Sequence, residues 1–280
     1  MKTAKNVPVL MYHHIAPEPG FITTTVTNFE NQLAWLANNG YQSLTSDEFA
    51  AHLEGEPVQA KSILITFDDG YLDNWVYAYP LLKKYGYCAQ IFLVTSWIGD
   101  GPLRPILGDS QLPEALSHAD CEAAIERGEA DRAILRWSEI EAMQDSGIIE
   151  FHSHTHTHTR WDKSARAAEK NQLMAQELAD SRATLKKRLG EVSQHLCWPQ
   201  GYFDADYQLI AHEAGFRYLY TTHAFGQNKA GSDPAHIYRF AVRDTHGASV
   251  GRRIQVAAHP YIGPAFNRFK IWNRARRAKK

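Results

Sequence analysis

The 280-residue chain predicts an α/β fold: one domain built on a parallel, barrel-like sheet. Two observations carry that expectation. Short apolar runs rich in β-branched and aromatic residues alternate six or seven times with helical patterns, and no linker-like stretch interrupts them. Length by itself would equally suit two smaller domains, because chains of about 200 to 300 residues form either.

The elements follow in order. "VPVLMYHH" (7–14) and "SILITFDDG" (62–70) read as strands that end in polar residues. Between them, Phe29, Leu33, Leu36 and Ala37 can share one face of a helix over 28–39, and a second helix is expected over 72–85, closed by Gly86. Then come a strand at 88–95, a helix near 137–146 closed by Gly147, a strand at 148–154 and a long helix near 163–189 closed by Gly190. The rhythm continues with a strand at 194–199, a helix at 204–214 closed by Gly215, and strands at 217–222 and 237–243. Residues 99–132 break it: rich in Gly, Pro and charge and without a strand, they read as an insertion that can form a lid over one end of the barrel. The expected organisation is therefore a barrel over 1–260, carrying the insertion, and a basic aromatic tail over 261–280.

Composition narrows the partners. With 44% hydrophobic residues, 22% charged residues and a net charge of −1, overall charge gives no reason to expect nucleic acid. The start lacks a signal-peptide pattern and no run approaches the roughly 18 apolar residues of a membrane span, so a cytoplasmic protein is expected. Charge is local. "NRFKIWNRARRAKK" holds seven Lys or Arg and no acid, interrupted by Phe269, Ile271 and Trp272, which suits either peripheral contact with an anionic membrane or a solvated helical tail. Cys88, Cys121 and Cys197 match neither a disulfide framework nor a CxxC site and read as small buried apolar side chains.

Three strand ends hold the chemistry: "MYHH", "TFDDG" and "FHSHTHTH". In a parallel barrel such ends converge on one face. Adjacent Asp68 and Asp69 closing an apolar strand need a cation or hydrogen bonds, although an Asp-Gly pair is also a turn signal and Asp69 could cap the next helix. His154 and His158 stand four apart. If the chain turns helically beyond the strand, both imidazoles reach one face, and a nearby carboxylate would complete a two-histidine, one-carboxylate metal set with positions left open for water and substrate. His152 and His156 then fall in the strand and inside the turn.

"TFDDG" (66–70) and "HTHTH" (154–158), in this order, resemble the first two motifs of the polysaccharide deacetylases, carbohydrate esterases of the NodB-homology type. The resemblance implies an irregular (β/α)7 barrel, a distorted TIM-like single domain, and metal-dependent removal of N-acetyl groups from amino sugars. It makes Asp69, His154 and His158 the metal ligands and Asp68 the general base. The cofactor implied is a divalent metal, zinc first, with Co, Fe, Mn and Ni as alternatives. Amide hydrolysis at neutral pH fits such a site, since a metal lowers the pKa of water from about 16 toward about 7.

The third family motif, R-x-P-[YF]-G, is altered. "CWPQG" (197–201) keeps Pro199 and Gly201 but puts Cys197 at the arginine and Gln200 at the aromatic. Arg239 in "IYRF" is a candidate substitute for the missing arginine, and the backbone amide of Gln200 can still serve an oxyanion. The family's late histidine is matched by His259 in "VAAHP" as candidate general acid. His13 fits the Y-H-x-[IV] strand end of the subgroup similar to poly-N-acetylglucosamine deacetylases and is expected to face the site, with His14 turned away or to the rim. The expected substrate is an N-acetylhexosamine in a glycan, in particular a cytoplasmic lipid-linked or lipopolysaccharide-core intermediate at the inner face of the membrane, because "WPQGY" is also similar to deacetylases of that kind. A catalytically inactive glycan-binding relative and a metal-dependent hydrolase of another C–N amide bond are the alternatives.

Overall fold

The computed structural model describes residues 2–278. Its strands are β1 (Val9–Tyr12), β2 (His14–Ala16), β3 (Thr23–Thr25), β4 (Gln42–Ser43), β5 (Ser62–Phe67), β6 (Ala89–Leu93), β7 (Ile149–Ser153), β8 (His195–Cys197), β9 (Tyr218–Tyr220) and β10 (Phe240–Ala241). Seven of them form one curled parallel sheet in the order β10-β1-β5-β6-β7-β8-β9, with β4 on the side of β5 and β2 paired with β3 apart. The far edges come together through one segment. Ile237 makes a parallel bridge to Tyr220, and Phe240 and Ala241 pair with Leu10 and Met11 of β1. The expected distorted (β/α)7 barrel is what the strands build.

The helices are α1 (Val26–Asn38), α2 (Ser46–Glu54), α3 (Tyr79–Tyr85), α4 (His118–Glu126), α5 (Trp137–Asp145), α6 (Lys170–Leu189), α7 (Ala205–Glu213), α8 (Gly247–Ala258) and α9 (Ile262–Ala278). Period-two alternation sorts β5 between two cores: Ile63, Ile65 and Phe67 pack outward beneath α1 and α5, and Leu64 points into the barrel with Val9, Phe92, Cys197 and Tyr220. A third core joins α6 and α7 through Leu178, Leu196, Trp198 and Tyr207.

Several expectations are corrected in detail. The helix expected at 72–85 begins as a π-helical turn at Asn74–Ala78 before α3. Pro80 has no N–H to give the Val76 carbonyl, and that carbonyl instead accepts from Leu107 of the insertion at 2.8 Å. The long helix starts at Lys170 rather than 163, after two short 3-10 turns. The last sheet strand shrinks to Phe240–Ala241. Sequence reading passed over α2, although Thr45 and Glu48 form a capping box at its start.

The insertion is not structureless. It contains α4, and its return limb is tied to the chain just past β5 by a bridge between Tyr71 and Ile134 and by Leu135 N–H donating to the Gly70 carbonyl. His118, the first residue of α4, lies 3.2 Å from His14 Nε2, and His14 Nδ1 is 2.6 Å from Asp73. His14 is thus one of the points at which this excursion is tied to the barrel.

Candidate metal centre

The C-terminal ends of β5, β7 and β8 meet, and the backbone there is bent out of ordinary regions. Asp69, Thr155, His158 and Gln200 all have positive φ, 77°, 68°, 62° and 52° respectively. Four such residues in one place are a mark of side chains aimed for a purpose rather than for packing. Gly70 continues the turn at φ 78°, and a Cβ there would come within 2.9 Å of Leu93 Cδ2. Glycine is required at that step, and it lets Asp69 swing its carboxylate across the barrel mouth.

Asp69 Oδ1 is buried and receives no hydrogen bond from the described residues. It lies 3.2 Å from Nε2 of His154 and 3.5 Å from Nε2 of His158. Ligand atoms about 2.1 Å from a tetrahedral cation stand roughly 3.4 Å apart, so the three atoms have the separations of a coordination shell. Their chemistry fits as well. His154 Nδ1 is 2.8 Å from the Cys197 carbonyl, which fixes Nδ1–H as the donor and leaves Nε2 with a free lone pair. Burial pushes His158 down to about 4, so its imidazole is neutral at neutral pH. Burial opposes ionisation of Asp69, yet the two imidazoles that face it hold its carboxyl well below the ordinary range. These three residues fit a divalent cation.

The pair His154 and His158 meets by a route the helical spacing does not describe. Residues 154–158 form an irregular loop instead of a helical turn, with ring centroids 4.9 Å apart. The reason is an acceptor on α6: buried Glu177 takes the backbone N–H groups of His156 (2.9 Å) and Thr157 (2.7 Å). Thr155 Oγ1 accepts from His158 N–H. Glu177 was missed in the sequence, where it reads as one more charge in a polar helix. Its only signal is that it falls at the buried positions of α6 together with Met174, Leu178, Ser181 and Leu185. His152 lies in β7 with its ring stacked on His195 at 4.8 Å.

Beneath this shell, Arg239 is fully buried and clamps Asp68 with two hydrogen bonds, 2.6 Å to Oδ1 and 2.8 Å to Oδ2. Its remaining donors reach Thr66 Oγ1, the Thr221 carbonyl and Cys197 Sγ. Burial disfavours the Asp68 carboxylate, but the guanidinium charge and its fork keep the group below its ordinary pKa. The arginine absent at position 197 therefore has a spatial counterpart that arrives from the closing strand. Cys197 is not a neutral filler: its Sγ is 2.9 Å from Arg239 Nη2 and 3.7 Å from Asp68 Oδ2. Asp68, His154 and Cys197 also approach one another closely enough to be considered a ligand set. Two facts disqualify them: both oxygens of Asp68 are taken by Arg239, and burial raises the Cys197 thiol so that it stays protonated.

His13 faces the site, with Nε2 3.8 Å from Asp68 Oδ2 and its side chain 18% exposed. Burial lowers its pKa. Pro199, Gln200 and Gly201 form the tight turn after β8. A Cβ on Gly201, at φ 68°, would fall 2.1 Å from Thr222 Oγ1, so this turn is pressed against the next strand end and only glycine fits. Gln200 itself is exposed.

His259 is the exception. α8 runs antiparallel to the strands, and its last turn lies at the barrel's other end, where the Ala257 carbonyl accepts from Asn6, ahead of β1. His259 is exposed there, and its Nδ1 accepts from the N–H groups of Tyr261 and Ile262. His259, expected as the general acid, therefore cannot serve a centre at the C-terminal strand ends.

Residues 55–219 match the sequence profile of the family described as polysaccharide deacetylase. The chain belongs to the polysaccharide deacetylase family. YxkH of Bacillus subtilis (strain 168) is 40% identical over 121 residues, 42% of either chain. The poly-beta-1,6-N-acetyl-D-glucosamine N-deacetylase of Escherichia coli (strain K12) is 26% identical over 149 residues, 52% of this chain but 20% of that protein. This family member thus spans less than half the length of these two relatives. Among solved structures, IcaB from Ammonifex degensii superposes with a TM-score of 0.71 at 24% identity, covering 90% of this chain and 98% of the other, which establishes the shared fold. His13 and Arg239 both lie outside the stretch that matches the family profile.

Proposed function

We propose that the protein is a metal-dependent carbohydrate N-deacetylase that hydrolyses the N-acetyl group of an N-acetylhexosamine within a glycan. One observation carries the reading: an unbonded carboxylate oxygen of Asp69 faces two imidazole Nε2 atoms, next to a second carboxylate, Asp68, that a buried arginine holds ionised. Asp69, His154 and His158 would hold the cation, zinc first. When bound it would activate water and polarise the acetyl carbonyl.

The chain's own residues supply the rest. Asp68 takes the proton of the attacking water, and Arg239 keeps it charged and aimed until it does. The amide C–N bond then breaks, releasing acetate and leaving a free amine on the sugar. With His259 at the opposite end and His154 proposed as a metal ligand, His13, 3.8 Å from Asp68, is assigned the transfer of that proton to the leaving nitrogen. The turn Pro199–Gly201 offers the Gln200 backbone amide to the developing oxyanion. The finer reading of the substrate is a lipid-linked or lipopolysaccharide-core amino sugar, which the basic aromatic α9 supports.

Mass spectrometry of candidate glycans incubated with metal-loaded protein tests the reading. Loss of about 42 mass units per sugar, one acetyl exchanged for hydrogen, is the expected result. Metal binding without any such loss on glycans would reassign the chain to binding alone, and release of another acyl or amide product would reassign it to a different C–N substrate.

A further inference from the structure

The catalytic machinery leaves α9 unexplained. Its root is fixed to the body: a Cβ on Gly263 would touch the Val256 and Ala257 carbonyls of α8, and Asn267 donates to the Gly226 carbonyl. Its outer face is not covered. Ile262, Ala265, Phe269 and Trp272, spaced three, four and three residues apart, fall on one side of the helix, and Ile262, Phe269 and Trp272 are 53%, 56% and 56% exposed. Arg268 borders this stripe and Arg276 continues it, its guanidinium 5.5 Å from the Trp272 ring. From residue 245 to 280 the chain has nine Lys or Arg and no Asp or Glu.

We infer that α9 is a docking surface for an anionic lipid bilayer. An apolar stripe alone would suit a second copy of the chain equally well. The charge decides against that, because two such helices face to face would bring arginines against arginines with no acid on either to relieve them. An anionic headgroup layer relieves them, and Phe269 and Trp272 have the shape that settles at the headgroup boundary. The opposite side of α9 borders a groove of about 820 Å³, lined by Thr222, His223, Phe225, Tyr238, Ile271 and Arg274. Thr222 is the residue against which Gly201 of the third-motif turn is pressed. A docked helix therefore stands between the bilayer and a groove that reaches the third-motif turn. The link to a lipid-carried substrate rests on the deacetylase reading; the docking itself does not.

Sedimentation of the full chain with vesicles tests it, comparing phosphatidylcholine alone with an equal mixture of phosphatidylcholine and phosphatidylglycerol. The protein is expected to pellet with the mixture only and to be released by added salt. The double change R268Q/R276Q should weaken binding about 30-fold, and F269S/W272S should abolish it, with the thermal unfolding midpoints of both kept at the wild-type value. Wild-type protein left in the supernatant, equal binding to both vesicles, or binding indifferent to these changes would overturn the inference. So would a concentration-dependent dimer that F269S/W272S dissolves, which would assign the stripe to a second copy. None of these readouts involves turnover, so docking without deacetylation would sink the proposed activity and leave this inference standing, and the converse holds equally.

Discussion

Asp68 and Asp69 are neighbours in sequence with opposite assignments, and the difference lies in what each touches. Asp68 is held through both oxygens by Arg239; Asp69 is left with an orphan oxygen between two imidazoles. Asp68→Asn should therefore keep the metal and lower turnover by about 100- to 10,000-fold, whereas His154→Ala should lose both. Metal content measured beside activity checks the division, and equal metal loss in the two variants would refute it. Arg239→Met leaves a buried carboxylate unpaired, at a cost of about 3 to 5 kcal/mol in stability, and its activity should follow that of Asp68→Asn. Chemical denaturation gives the first number. Asp68, Asp69, His154 and His158 were legible because their side chains are expensive to place at strand ends without a purpose. Cys197 was not, because a thiol reads as filler until its contact with Arg239 is seen.

At the level of elements, the proposed ligand pair His154 and His158 depends on a loop, and the loop depends on α6. Glu177→Ala removes the acceptor of two backbone N–H groups. The expected cost is about 1 to 3 kcal/mol, with metal affinity weakened about 10- to 100-fold although no ligand is changed. Competition against a chelator reads the affinity, and a wild-type value would mean that the loop holds its shape unaided. Periodicity revealed most helices and strands, and it even brought the two histidines together, but it assigned them a helical turn. The turn is irregular because a carboxylate 19 residues beyond His158 in the chain outbids the helical hydrogen bonds, and no local pattern records a partner so distant. The same limit explains His259: the residue sits in the expected place in the order of motifs, but only the direction of α8 shows that it emerges at the wrong end.

Taken whole, the barrel encloses polar groups that must stay uncharged. Burial pushes His152 down to about 3 from an ordinary value of 6.5, and its neighbour His195 is lowered too. The unfolded chain takes up a proton at His152 below about pH 6.5, while the folded chain does not until near pH 3, so stability is full above 6.5 and is lost as pH falls through that window. By about pH 5 the loss from this residue should reach about 2 kcal/mol. Urea unfolding at neutral and mildly acidic pH measures it, and His152→Phe should flatten the dependence; an unchanged slope would remove His152 as its source. A different consequence follows from the way the sheet closes. All three proposed ligands and the base are made by residue 158, but the arginine that holds the base enters on the segment joining β9 to β1, at position 239. During synthesis the candidate ligands, then Glu177 and the Cys197 carbonyl that shape their loop, would all emerge ahead of the arginine, so a chain cut before that last strand is expected to hold the ligand residues but to lack the clamp on its base.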